Sequence, residues 1–147
     1  MGHQDKIKKL GRTKPHREQM LANMAMSLIM HRMIKTTDAK AKALRPVVDR
    51  LITNAKKDTL ASKRLVARTV HVKEVFKKFY SEVVPQFGDR TSGYTRVMKL
   101  GVRRGDGAPI SVVELLTAAP EVKPDAKDKK SKKKTARKTT LAKKAKK

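Results

Sequence analysis

Four segments with helical periodicity, two β-alternating segments behind them and a short β-branched run between the first two helices predict an α+β domain. About four helices should pack on a small sheet of about three strands, mixed or antiparallel. A basic N-terminal arm precedes the domain and a disordered C-terminal tail follows it. The 147 residues allow one domain of ordinary size plus those tails.

The first helix is expected from Pro15, a residue suited to a first turn. Glu18 sits near its positive end, and Met20, Leu21, Met24, Leu28 and His31 recur at three and four residues. Ile34 to Thr37, β-branched at three of four positions, is the best candidate for a further strand. Thr37 and Asp38 offer a cap for helix two, where Leu44, Val47, Val48, Leu51, Ile52 and Ala55 form one apolar face. The other face carries Lys40, Lys42, Arg45, Asp49, Arg50 and Lys56, and Pro46 inside it predicts a kink or a restart. Asp58 or Thr59 caps a short third helix through Leu60, Leu65 and Val66. Val72, Val75, Phe76, Phe79 and Val83 mark a fourth, which Pro85 should stop.

After a loop at Gln86 to Gly93 the period changes to two. Tyr94, Arg96, Met98 and Leu100 then share one side of a strand, with Thr95, Val97 and Lys99 on the other. Ile110 to Leu116 is the partner strand, and the link from Gly101 to Pro109 makes a hairpin with a long basic tip. Because a lone hairpin is marginal, the Ile34 to Thr37 run is expected to join it.

Charge narrows the function more than pattern does. Thirty-eight Lys and Arg stand against thirteen Asp and Glu, a formal net charge of +25, so the compact chain repels itself until a polyanion neutralises it. The last thirty residues hold 13 basic and 3 acidic side chains, which leaves +15 on residues 1–117. That last segment is Lys, Ala, Thr and Pro with few large apolar residues, and it cannot bury enough surface to offset ordering entropy. The chain therefore divides into a basic extended arm (1–14), a globular nucleic-acid-binding domain (15–117) and a Lys-rich tail (118–147).

Several chemistries are excluded. The absence of Cys removes a disulfide framework, a thiolate zinc ribbon and a Cys nucleophile. His16 and His31 fall on one side of a helical wheel but roughly 22 Å apart at 1.5 Å per residue, too far to share a metal. Asp89 and Asp106 are flanked by Arg90, Arg103 and Arg104, and local ion pairs explain them better than catalysis. Gly105-Asp106-Gly107 lacks the Lys and Ser of a phosphate loop and is read as turn geometry, while Arg104-Gly105-Asp106 matches an adhesion tripeptide only by coincidence. The apolar run Met20 to Met30 is broken by Asn23 and Ser27 and is not a signal peptide, and no stretch is long enough to span a membrane. No enzyme activity, metal, cofactor or small-molecule substrate is expected, and the protein should be soluble and cytoplasmic. Aromatic residues are 3% of the chain with no Trp, which disfavours base-stacking platforms and favours contact with phosphates and RNA shape.

Two blocks of residues carry a resemblance. One is His16-Arg17, Met20, Asn23-Met24, Ser27-Leu28, His31, Ile34-Lys35-Thr36-Thr37, Ala41-Lys42, Leu44-Arg45 and Leu51-Ile52-Thr53. The other is Gly93-Tyr94-Thr95-Arg96, Lys99, Gly101, Arg103, Gly105-Asp106, Ala108-Pro109 and Glu114-Leu115. In order and across residues 3–116, they resemble the bacterial large-subunit ribosomal protein seventeen family. The resemblance implies a non-catalytic structural constituent of the ribosome that binds large-subunit rRNA. It also implies neighbouring large-subunit proteins near the peptide exit region. Gly2 and Asp5 depart from the family's basic opening, and the tail lies beyond its core.

The resemblance carries rRNA contacts onto Lys9, Arg12, His16, Arg17, Asn23, His31, Lys35, Thr36, Thr37, Lys42, Arg45, Tyr94, Arg96, Lys99 and Arg103. Charge alone adds Lys6, Lys8, Lys14, Lys40, Lys56, Arg64 and Arg104. The competing reading is a Lys-rich DNA-binding protein that compacts chromatin, since the tail has a linker-histone composition, yet nothing reads as a recognition helix with a half-site partner. A nuclease or RNA-modifying enzyme would need a metal or cofactor site that these residues do not assemble.

Overall fold

Periodicity becomes secondary structure at nearly the predicted places in the computed structural model, which describes residues 8–116. Lys6, the first half of the predicted arm and the predicted tail lie outside the described residues. The elements are α1 (Lys14–His31), β1 (Met33–Thr37), α2 (Asp38–Lys56), α3 (Leu60–Thr69), α4 (Lys73–Lys78), β2 (Thr95–Val102) and β3 (Pro109–Leu115).

The three strands form one antiparallel sheet in the order β1-β3-β2. Met33 pairs with Glu114 and Thr37 with Ile110 on one side of β3, while Thr95 pairs with Leu115 and Val102 with Pro109 on the other. Strand alternation sends Ser111, Val113 and Leu115 of β3 inward against α1 and α2. The opposite face presents Met33, Lys35, Arg96 and Met98 to solvent. On β2 the predicted alternation holds until a bulge between Lys99 and Gly101 resets it, and the inward set is Thr95 and Val97. Tyr94 precedes the strand and escapes its alternation. Its ring packs edge-on to Phe87 at 5.2 Å, and its hydroxyl donates to the Thr91 carbonyl at 2.8 Å.

In α1 the buried side chains are Ala22, Ala25, Met26, Leu28 and Ile29, so the inward face is rotated from the predicted one. Two of the five are alanines, which a search for large apolar residues at helical spacing passes over. Met20 is half-buried, His31 is exposed, and Glu18 lies just past the first turn. Arg32 ends the helix with a left-handed backbone (φ 65°), its amide donating to the Leu28 carbonyl at 2.8 Å. Its guanidinium donates to Glu82 at 3.3 Å and Gln86 at 3.2 Å, which anchors a conformation that L residues resist.

Helix α2 buries Ala41, Leu44, Val48, Leu51, Ile52 and Ala55, the predicted face with Val47 at its edge. It runs as one helix through Pro46, so of the kink or restart expected there the restart does not occur. The ring lies on the exposed side, so the carbonyl four residues back, which proline cannot satisfy, is on the side open to water. Thr59, rather than Asp58, caps α3, its hydroxyl accepting from the Ser62 amide at 3.2 Å. That helix turns only Ser62 and Val66 inward. Leu60 and Leu65, two of the apolar residues that marked this helix, are 66% and 55% exposed.

Pro85 does not end the fourth helical stretch. A π-helical turn at Phe79–Val83 and a 3-10 turn at Val84–Phe87 continue it, and Pro85 sits at the start of the second. Val75, Phe79, Val83 and Phe87, four residues apart, all reach the core. In an unbroken α-helix each such step would rotate about 40° away, and the wider π turn takes back part of that drift.

These packing differences predict unequal costs for similar substitutions. Leu44→Ala, at a fully buried site, should lower unfolding free energy by about 2–5 kcal/mol in urea denaturation. Leu60→Ala and Leu65→Ala should each stay within about 0.5 kcal/mol of the parent chain.

Candidate nucleic-acid interface

Cations outnumber acids so heavily that the useful question is which of them the fold already occupies. Among the described residues, six ion pairs engage acids with neighbouring cations. Lys42 reaches Asp38 at 2.7 Å and Arg45 reaches Asp49 at 3.9 Å, each one helical turn apart on α2. Arg96 meets Glu114 across the outer sheet face at 3.2 Å. Asp38 also accepts from the Ser111 hydroxyl at 3.1 Å, tying the first turn of α2 to the middle of the sheet. Its carboxyl is held below the usual range chiefly by the Lys42 hydrogen bond, with Ser111 and Lys99 helping against partial desolvation.

Two concave sites gather several of the cations, Lys42 and Arg103 of the ion pairs among them. The first is a pocket of about 300 Å³ where the end of β1, the start of α2 and the base of the hairpin tip meet, lined by Lys35, Thr36, Thr37, Lys40, Arg103 and Ile110. Five of those six side chains are predicted RNA contacts. The second is a groove of about 700 Å³ between α1 and α2, with Lys8, Lys14, Arg17, Lys42 and Arg50 around it and Glu18 as its one acid among the described residues. Lys40 lines the first and Lys42 the second, two residues apart on α2.

The hairpin tip is built to hold its basic side chains outward. Gly105 (φ 102°) and Gly107 (φ 62°) adopt backbone angles that side chains oppose, as the turn reading requires. The Gly107 amide donates to the Arg103 carbonyl at 3.0 Å, and the Arg103 guanidinium grips Asp106 with two hydrogen bonds. Asp106 thus has the local partner expected of it. Asp89 forms no ion pair among the described residues, and Arg90 donates instead to the Gly93 carbonyl at 3.5 Å.

Other predicted contacts lie apart from the two clusters. His16 and Asn23 are exposed on α1, His31 ends that helix, Arg64 is on α3, Arg104 is at the hairpin tip and Lys99 is on β2. Lys9 and Arg12 frame a turn in which the Arg12 amide donates to the Lys9 carbonyl at 3.1 Å, so this part of the arm is not extended. Left-handed backbones at Leu10 and Gly11 reverse the chain there, and Arg17 fastens it by donating to the Arg12 carbonyl at 3.3 Å.

Two predicted contacts serve the protein instead. Tyr94 is 1% exposed and belongs to the core, which corrects its reading as an rRNA contact. Lys56 donates to the carbonyls of Gly88 and Arg90 and lies 5.9 Å from the centre of the Tyr94 ring, so it closes the loop before β2. Conversely, Arg50 lines the groove but was absent from the predicted set. Its position one turn after Pro46, on the polar face of α2, was the available signal.

Among the described residues, no group of His, Asp or Glu could hold a metal ion and no helix is long and apolar enough to cross a membrane. A family model described as Ribosomal protein L17 matches residues 20–116. The chain is 51% identical over 116 residues to the large ribosomal subunit protein bL17 of Rubrobacter xylanophilus, covering 79% of this chain and 96% of that one. It is 47% identical to the protein of that name from Methylacidiphilum infernorum, over 78% of this chain and 87% of the relative. The corresponding figure for Geotalea daltonii is 44%, over 94% of this chain and 76% of the relative.

The tip should loosen in acid. Asp106 is drawn down from 3.8 to about 2, first by the Arg103 hydrogen bonds and then by the Ala108 amide. Because the folded value lies below the unfolded one, this contribution is complete above the ordinary carboxylate value and disappears as pH falls through about 2. Carboxyl NMR should find the Asp106 midpoint near 2, and Asp106→Asn should speed amide exchange at Gly107 and Ala108 at neutral pH.

Proposed function

The chain belongs to the ribosomal protein L17 family, and we propose that the pocket beside β1 and the groove between α1 and α2 dock it on folded large-subunit rRNA. It is a structural constituent of the large ribosomal subunit, in the cytoplasm, with rRNA and other ribosomal proteins as partners. The observation that carries the docking proposal is convergence. Lys35, Lys40 and Arg103 come from three elements yet line one pocket. RNA folding packs phosphates closely from several strands, and cations fixed on a rigid frame neutralise them without reordering. The Thr36 and Thr37 hydroxyls in the same pocket can bond phosphate oxygens or 2′-hydroxyls.

The remaining exposed basic residues extend that surface, including His16, Arg64 and Arg104. Residues 15–117 form the rRNA-binding body, with residues 1–14 and 118–147 adding electrostatic attraction on either side. Protein neighbours near the peptide exit region complete the environment. No chemical step is assigned to any residue, and family membership favours RNA over the DNA-compacting reading.

Sedimentation of a cell lysate should find the chain with the large subunit. A chain running only with chromosomal DNA would overturn the proposal. Affinity for large-subunit rRNA fragments should fall by roughly 10³–10⁵ between 50 and 200 mM salt if about six to ten phosphates are engaged. Lys40→Ala should reduce the salt slope by about one while weakening binding evenly across RNA sequences.

A further inference from the structure

Pro46 is the residue least suited to the interior of a helix, and phosphate neutralisation gives no reason for it. It sits mid-α2, exposed, outside the packed core. Its ring lies instead in the groove between α1 and α2, beside Leu21, Ala43 and Val47. The groove therefore has an apolar floor beneath a cationic rim, and Lys14, Arg17 and Arg50 on that rim make no ion pair among the described residues.

We propose that this groove receives one unstacked nucleotide of the rRNA, its base lying on Leu21, Ala43, Pro46 and Val47 and its flanking phosphates held by Lys14, Arg17, Lys42 and Arg50. The inference rests on the rRNA-docking reading and adds the kind of RNA that docks. A-form duplex presents phosphates and 2′-hydroxyls at its surface and gives an apolar floor nothing to cover. An extruded base does, because its flat face is apolar while the adjoining backbone is anionic. A volume of about 700 Å³ accommodates a group of that size. The pyrrolidine ring offers a compact, conformationally restricted apolar surface, and the described lining of the groove has no aromatic side chain. Arg17 and Arg50 bring planar forks suited to two-point phosphate contact. Glu18, the only acid lining the groove among the described residues, can accept from an exocyclic amine of the base.

The test uses large subunits purified from cells whose only copy of the chain is wild type, Pro46→Glu or Pro46→Ala, with subunits lacking the chain as reference. Bases are probed with a reagent that methylates unpaired nucleotides, and incorporation is measured by mass spectrometry. The wild-type chain should protect one unpaired nucleotide about tenfold, the factor expected from one base contact. Pro46→Glu should restore its reactivity while remaining stoichiometric in the particle, and Pro46→Ala, which favours the helix, should restore it in part. Unchanged protection in Pro46→Glu overturns the inference. So does the absence of any protected unpaired base, the result expected if duplex or a neighbouring protein fills the groove. If Pro46→Glu fails to incorporate, unchanged protection in Pro46→Ala is decisive against it. Absence of the wild-type chain from the particle is a different failure, one that overturns the ribosomal reading and this inference together.

Discussion

Insertion of β3 between β1 and β2 is the contact on which the rest of the molecule depends. It joins residues 33–37 to residues 110–114, so the helices between them are closed into one loop of chain. Only after that closure do Val113 and Leu115 have a core to enter, and only then do α1 and α2 share a sheet to pack on. Such long-range pairing costs loop entropy that the burial on the inner face of the sheet has to offset. Its inward row also delivers Ser111 to Asp38, and that bond holds the start of α2 over the sheet. The pocket of Lys35, Lys40 and Arg103 exists because β1, α2 and the hairpin are held together there.

Electrostatics is divided between two tasks. Acidic residues are few, and among the described residues several lie beside a cation whose position matters: Asp38 with Lys42, Asp49 with Arg45, Glu82 with Arg32, Asp106 with Arg103. Exposed pairs of this kind contribute little stability, about 0–1 kcal/mol, so their effect is mainly to orient side chains. The surplus cations stay unpaired and repel one another in the free protein. That repulsion is relieved when phosphate enters, which makes the surface attractive to RNA and dependent on salt.

The core departs from the pattern where shape outranks hydrophobicity. α1 turns Ala22 and Ala25 inward beside Met26, Leu28 and Ile29, whereas α3 turns only Ser62 and Val66 inward and leaves Leu60 and Leu65 in solvent. Phe87 enters the core through a π turn and a 3-10 turn that no period of 3.6 announces. Tyr94 looks like a surface residue by strand alternation, but it lies before the strand and fills the space beside Phe87.

The sequence by itself determined the α+β class, the apolar face of α2, the β2–β3 hairpin and the need for a third strand. All of these follow from local periodicity and from the marginal stability of a lone hairpin. It also determined that the partner is a polyanion, because net charge requires no folding to be counted. Tertiary structure alone decided which cations act together. Arg50 joins Arg17 although thirty-three residues separate them, and Lys56, identical in kind to Lys40, is drawn away to cap the Gly88 and Arg90 carbonyls. Charge is a property of composition, but a binding site is a property of distance, and distances between remote residues are set by the packing of α2 on its neighbours.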